Sequence, residues 1–150
     1  MTANDLLRVM RGTRYAVEAT VTPNSAPQAA VIGIAVTDAF ELVFDTIGGS
    51  RKAQNLRVNR RVALVLGNCY GGDERTIQYE GLADEPSGAE LERLKTIYFE
   101  VFPDGRDRQR WPGLTYFRVS PVWIRYSNYT TDPPEIVEFE AGDLVGDGAA

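Results

Sequence analysis

Five residues in a row can do chemistry together: Gly48-Gly49-Ser50-Arg51-Lys52, inside the stretch DTIGGSRKAQNL. Ser50 is a good helix N-cap, and the apolar spacing after it predicts a short helix over 50–58. A helix start already carries about half a positive charge from N–H groups without carbonyl partners. Arg51 and Lys52 add two cations to that end, against the local electrostatic preference. A doubly charged phosphate monoester reverses the conflict: it takes the free N–H groups, the planar fork of Arg51 and the point charge of Lys52. The two glycines let backbone approach the ligand closely. The alternative is a solvated basic helix start that tolerates a few tenths of a kcal/mol of repulsion.

Composition removes many other chemistries. The chain has no histidine, which excludes Ser-His-Asp and Cys-His nucleophiles, histidine acid–base catalysis and Cys/His zinc sites. Cys69 is the only cysteine, so no internal disulfide forms. GxGxxG, GxxxxGK[ST] and GxSxG are all absent. Glu90 and Glu92 fall on a solvated helix face, so neither catalytic residues nor metal ligands are assigned. The Asn128-Tyr129-Thr130 sequon carries no meaning in a cytoplasmic protein. Net charge is −5, and its distribution is uneven. Six acids and no base lie in 132–150, leaving 15 acids against 16 bases elsewhere. Arg51 to Arg61 is one run of five cations without an acid. That pattern is a local anion site and not a phosphate-backbone track, so no nucleic-acid partner is expected. No apolar run approaches the ~20 residues of a membrane span, and the N-terminus lacks a signal-peptide core. The expected compartment is the cytoplasm, with no membrane partner.

The elements that must hold this turn read as short β-strands. MTANDLLRVMRG is a short helix burying Leu6, Leu7, Val9 and Met10. Strands are predicted over 15–22, 28–37, 40–46, 61–68 and 74–83. The 28–37 strand reads as buried on both faces, makes a hairpin with 40–46, and has Gly33 at a close approach. Gly81 reads as a bulge. Ser87-Gly88-Ala89-Glu90 reads as a capping box before a helix ended by Pro103-Asp104-Gly105. Two last strands, 114–119 and 122–129, are broken at Pro121. Residues 132–150 are an acidic tail with order around Ile136 to Phe139, following a domain over 1–131. Six or seven short antiparallel strands with flanking helices predict a mainly β barrel.

The stretch from Leu42 to Leu56, followed by Arg61-Val62-Ala63-Leu64, resembles the pyridoxamine 5'-phosphate oxidase-like FMN-binding split-barrel family. There a strand ending in an aromatic-x-Thr leads through a loop to Ser-Arg-Lys. Glu74 to Ala83 resembles that family's fourth strand, ending Gly-x-Ala, and the likeness runs over roughly residues 10 to 129. It implies a homodimer with FMN at the subunit interface. It also implies hydride or electron transfer through the flavin, from NAD(P)H or another small-molecule donor to an acceptor. Carried onto this chain, Arg51 and Lys52 hold the phosphate with Ser50, and Phe44, Asp45 and Thr46 end the strand that contacts the ribityl chain or ring edge. The backbone of Val31, Ile32 and Gly33 passes beside the ring, and Thr76 or Gln78 supplies a flavin contact. Trp111 lies over the ring from the partner or packs on its own barrel, and Arg106, Arg108 and Arg110 meet an anionic substrate or solvent.

Departures refine the resemblance. Oxidases of the family carry cations where this chain has Ala30 and Ala35, and a Tyr where it has Asp45. They end in an Arg-Leu-His-type motif that this chain lacks. The resemblance therefore points away from pyridoxine phosphate oxidation, toward short stand-alone members of the general-stress-protein kind. A flavin-holding stress or sensor module without turnover, and the deazaflavin F420 in place of FMN, are the alternatives. F420 would want further cations, from Arg57, Arg60 and Arg61.

Overall fold

The computed structural model describes residues 1–67 and 71–144; Cys69 and the last acid, Asp147, lie outside the described residues. Helix α1 (Ala3–Arg11) leads into β1 (Tyr15–Val21), β2 (Pro27–Gly33), β3 (Ala35–Val36) and β4 (Leu42–Ile47). Helix α2 (Arg51–Val58), β5 (Arg61–Gly67) and β6 (Arg75–Asp84) follow, then α3 (Gly88–Val101), α4 (Gly105–Arg108), β7 (Leu114–Asn128) and β8 (Glu135–Glu140). The strands form one antiparallel sheet in the order β2-β1-β5-β6-β7-β4-β3, with β8 also on β7. The fold is mainly β, a curled half-barrel with flanking helices. No helix among the described residues is long and apolar enough to cross a membrane.

The main core fills the concave side of the sheet. Leu6 and Met10 of α1 pack there with Leu42, Phe44, Leu64, Leu66, Ile77 and Phe117. Phe44 and Phe117 stack at 5.6 Å. Helix α1 carries the capping box that the sequence suggests for α3: the Thr2 hydroxyl accepts from Asp5 N, and Asp5 accepts from Thr2 N. At α3, Ser87 sits at the N-cap without a side-chain bond, and the Glu90 carboxylate binds Arg93 and Arg118 at 2.7 and 2.9 Å, so no capping box forms there. A second core lies between α3 and the far side of β3, β4 and β7, built on Leu94, Tyr98, Phe102 and Tyr116.

Three strand expectations change. Residues 28–37 are two elements: β2 pairs β1, and only β3 makes the hairpin with β4. Nor is β2 buried on both faces; it is the outer strand of the sheet, and Val31 is 70% exposed. Gly33 marks a close approach as expected, since a Cβ there would lie 2.7 Å from the Phe102 ring. The strand after α4 is not broken at Pro121. One edge of β7 pairs β4 up to Val119 and β8 from Trp123, so Pro121 falls in the gap where no donor is needed. It faces the β6 bulge at Glu80/Gly81, where a Gly81 Cβ would meet Ser120 O at 2.6 Å. The acidic segment supplies β8, and its Phe139 and Leu144 enter the main core.

Candidate functional site

The Gly48–Ser50 turn is tied down from three sides. Gly48 N donates to Gly113 O at 2.7 Å, and Ser50 N donates to Ile47 O at 2.9 Å. Arg57 Nη1 donates to Gly48 O at 2.6 Å, while its Nε and Nη2 hold Glu85 at 2.6 and 3.0 Å. Glu85 also accepts from the Thr115 hydroxyl at 2.8 Å. That pairing holds the Glu85 carboxyl below its ordinary value, the Arg57 bond being the main cause.

Ser50 is the N-cap of α2 in extended conformation, and its Oγ accepts from Ala53 N at 3.3 Å. The Thr46 hydroxyl lies 3.1 Å from the same oxygen. Helix α2 is fixed to the sheet by Asn55, whose buried amide donates to Thr20 Oγ1 at 3.0 Å and Gln28 Oε1 at 2.8 Å. Arg51 and Lys52 therefore start a clamped helix with no acid in its first turn. Among the described residues neither forms an ion pair. Beneath them lies a cavity of about 260 Å³, walled by Ser50, Arg51 and Lys52 on one side and by Glu18, Thr20, Gln28, Ala29 and Ala30 on the other. Its donors are a hydroxyl, first-turn amides, a guanidinium and an ammonium, the set that fits a phosphate monoester.

Other expected residues stand apart from this cavity. The Phe44 side chain is core, so only its backbone is on offer. Asp45 turns toward the second core, accepting from Tyr98 OH at 3.0 Å and Arg108 Nε at 2.9 Å. Arg108 also binds Asp104, and the Tyr98 hydroxyl at 3.2 Å. Burial opposes the Arg108 charge, but the Asp45 bond and charge outweigh it and hold the guanidinium above its ordinary value. Burial and the nearby Asp45 charge push the Tyr116 hydroxyl up to about 12, and it has no hydrogen-bond partner among the described residues. Arg108 is thus engaged, and Arg106 lies over the Phe99 ring at 5.4 Å.

On β2, Ile32 is core, Gly33 meets Phe102 and Val31 points outward; Ala29 and Ala30 are the β2 residues that wall the cavity. Gln78 lies on the outer sheet face, opposite Val65 and Arg125, and Thr76 is two residues away on the same strand. Neither lines the Ser50 cavity. Trp111 is 55% exposed, in the loop whose Gly113 bonds the Gly48 turn. Sequence reasoning missed Glu18 and Asn55. Glu18 carried no sequence signal: in YAVEATVT it shares the more polar strand face with Thr20, and the structure turns that face inward.

A sheet edge, a Gly-Gly-Ser turn and a doubly basic helix start thus surround one cavity of a mainly β half-barrel. Residues 5–128 match the family described as Pyridoxamine 5'-phosphate oxidase, and the chain belongs to that family. It is 34% identical over 94 residues to a Rubrobacter xylanophilus protein named pyridoxine/pyridoxamine 5'-phosphate oxidase. That match covers 62% of this chain and 40% of the relative, so the chain spans well under half of it. The heme binding protein from Mycobacterium smegmatis shares the fold with a TM-score of 0.82 at 14% identity, over 96% of this chain and 60% of that one. A pyridoxamine 5'-phosphate oxidase-related, FMN binding protein from Nostoc punctiforme does so at 0.66 and 15% identity, over 92% and 86%.

Proposed function

We propose that the protein binds FMN with its phosphate in the Ser50–Lys52 cavity and serves as an FMN-dependent oxidoreductase. The observation that carries this reading is the clamped helix start, where two cations without acidic partners and the Ser50 hydroxyl face one cavity. Family membership and the FMN-binding relative support it. Bound FMN would supply hydride and electron transfer between a donor such as NAD(P)H and an acceptor. The chain's part is to bind and orient: first-turn amides, Ser50, Arg51 and Lys52 take the phosphate, and Asn55 and Arg57 keep that cradle in place.

The reading includes a homodimer. Val31, Val17 and Val65 form one outward row across β2, β1 and β5, and are 70%, 44% and 46% exposed. Beside them a groove of about 630 Å³ runs between Ala19, Ala63, Leu82 and Val122. A second copy would cover this apolar face and bring its own Thr76 or Gln78 toward the flavin. F420 is the weaker alternative, because Arg57 is spent on Glu85 and Gly48, and Arg60 Nε donates to Ala83 O at 2.8 Å. A flavin-holding module without turnover differs from the oxidoreductase only in whether NAD(P)H or another donor reduces the bound flavin.

Titration with FMN and with riboflavin, followed by flavin fluorescence, tests the reading. Each charge-assisted bond to phosphate contributes about 1.5–3 kcal/mol, so with Arg51 and Lys52 both engaged FMN should bind at least roughly a hundredfold tighter than riboflavin. Equal affinities, or no binding of either, would overturn it.

A further inference from the structure

Glu18 is the anomaly of the cavity. It lies in the inward row Ala30–Glu18–Leu64–Tyr79, is 1% exposed, and its Oε2 is buried without a hydrogen-bond partner among the described residues. A buried, unpartnered carboxylate oxygen beside a proposed anion site is costly twice over: it is desolvated, and it repels the ligand. The strands against it bring no charge: β2 contributes Ala30 and Gln28, and β5 contributes Leu64. The charged groups facing it come from α2, namely Lys52 and Arg51. Neither is within ion-pair distance of Glu18. Burial therefore outweighs the pull of the Lys52 charge, and pushes the Glu18 carboxyl up to about 7.

We propose that Glu18 is a hydrogen-bond donor of the anion site, so that a phosphate monoester binds together with one proton. This rests on the reading of Ser50–Lys52 as a phosphate cradle. In the acid form, the Glu18 O–H donates to a phosphate oxygen, satisfying the carboxyl and removing the repulsion. Where the free site holds carboxylate, binding takes one proton from solvent onto Glu18, and no bond of the phosphate is made or broken. The cavity then prefers ligands that accept a hydrogen bond at that wall, and phosphate accepts from several directions at once.

The second ionisation of a phosphate monoester has its midpoint near pH 6, so above about pH 7 the ligand is almost wholly the dianion and its charge barely changes. Over about pH 7 to 9 the affinity for FMN should fall, by at most tenfold per pH unit for one proton. Flavin fluorescence titrations across that window compare wild type with Glu18→Gln, which keeps shape and a donor but cannot titrate. The expected result is a falling affinity for wild type and a flat profile for Glu18→Gln. Calorimetry of wild type with FMN at about pH 8, in two buffers of different ionisation enthalpy, should show net proton uptake approaching one. That measurement needs no variant, so it decides the matter even if Glu18→Gln fails to fold. Parallel pH profiles for the two proteins, or heats independent of buffer, would overturn the role of Glu18. Failure of wild type to bind FMN at any pH would instead overturn the phosphate reading beneath it.

Discussion

Replacing Asn55 with alanine probes how the cradle is held. The Asn55 amide, 4% exposed, makes two bonds that join α2 to the sheet. Thr20 is equally buried, so its hydroxyl loses its protein partner; that costs about 1–3 kcal/mol. Gln28 is half-buried and can turn to solvent, so its bond adds about 0.5–1 kcal/mol. Alanine returns about 0.5 kcal/mol of helix propensity. The net destabilisation is about 2 kcal/mol, which at 2–4 °C per kcal/mol for a domain of this size lowers Tm by roughly 4–8 °C. Thermal unfolding by circular dichroism reads this directly. Pairing Asn55→Ala with Thr20→Val removes both partners and should recover part of the loss. A Tm shift of Asn55→Ala within about 1 °C would refute the idea that this pair clamps the helix.

Three further outcomes follow from particular contacts. The Glu18 carboxyl, raised to about 7 in the fold against an ordinary 4.5, binds a proton more readily folded than unfolded. Its contribution is therefore full below about pH 4.5 and is lost as pH rises to about 7, so wild type should lose about 3 kcal/mol relative to Glu18→Gln over that range. Denaturant midpoints that move in parallel for the two proteins would contradict it. Gly33→Ala drives a Cβ to 2.7 Å from the Phe102 ring and should cost about 1–3 kcal/mol; unchanged stability would mean that the ring yields freely. Val17→Arg with Val65→Arg places cations on an exposed row, so the fold should survive while light scattering changes from dimer to monomer; a wild type that is already monomeric would remove the dimer from the proposal.

Much of this was legible in the residues, and the misreadings have physical causes. The Ser50 cap, α2 and the Gly81 bulge follow from local rules that tertiary packing did not override. Strand β1 is harder. YAVEATVT places Tyr15, Val17 and Ala19 on one face and Glu18 and Thr20 on the other, which by burial alone suggests Glu18 outside. The barrel buries the polar face instead, because α2 brings Lys52 and Asn55 over it, and it leaves the valines exposed. The same uncovered face explains why β2, apolar in sequence, is not buried within one chain. Pro121 breaks a strand only where its edge needs a donor, and pairing partners are invisible in a single sequence. Asp45 sits next to Thr46 in the chain, yet strand alternation sends it to Tyr98 and Arg108 on the other side of the sheet.

The phosphate cradle itself is best tested by comparing wild type with Arg51→Ala/Lys52→Ala for binding of both FMN and riboflavin. Both side chains lie at the solvent edge of the cavity and make no ion pair among the described residues, so the fold should be unaffected. The expected result is that the double variant loses at least roughly a hundredfold in FMN affinity, from two charge-assisted bonds, while riboflavin binding barely changes. Equal losses for both ligands, or FMN affinity untouched by the double substitution, would show that these cations serve something other than a phosphate.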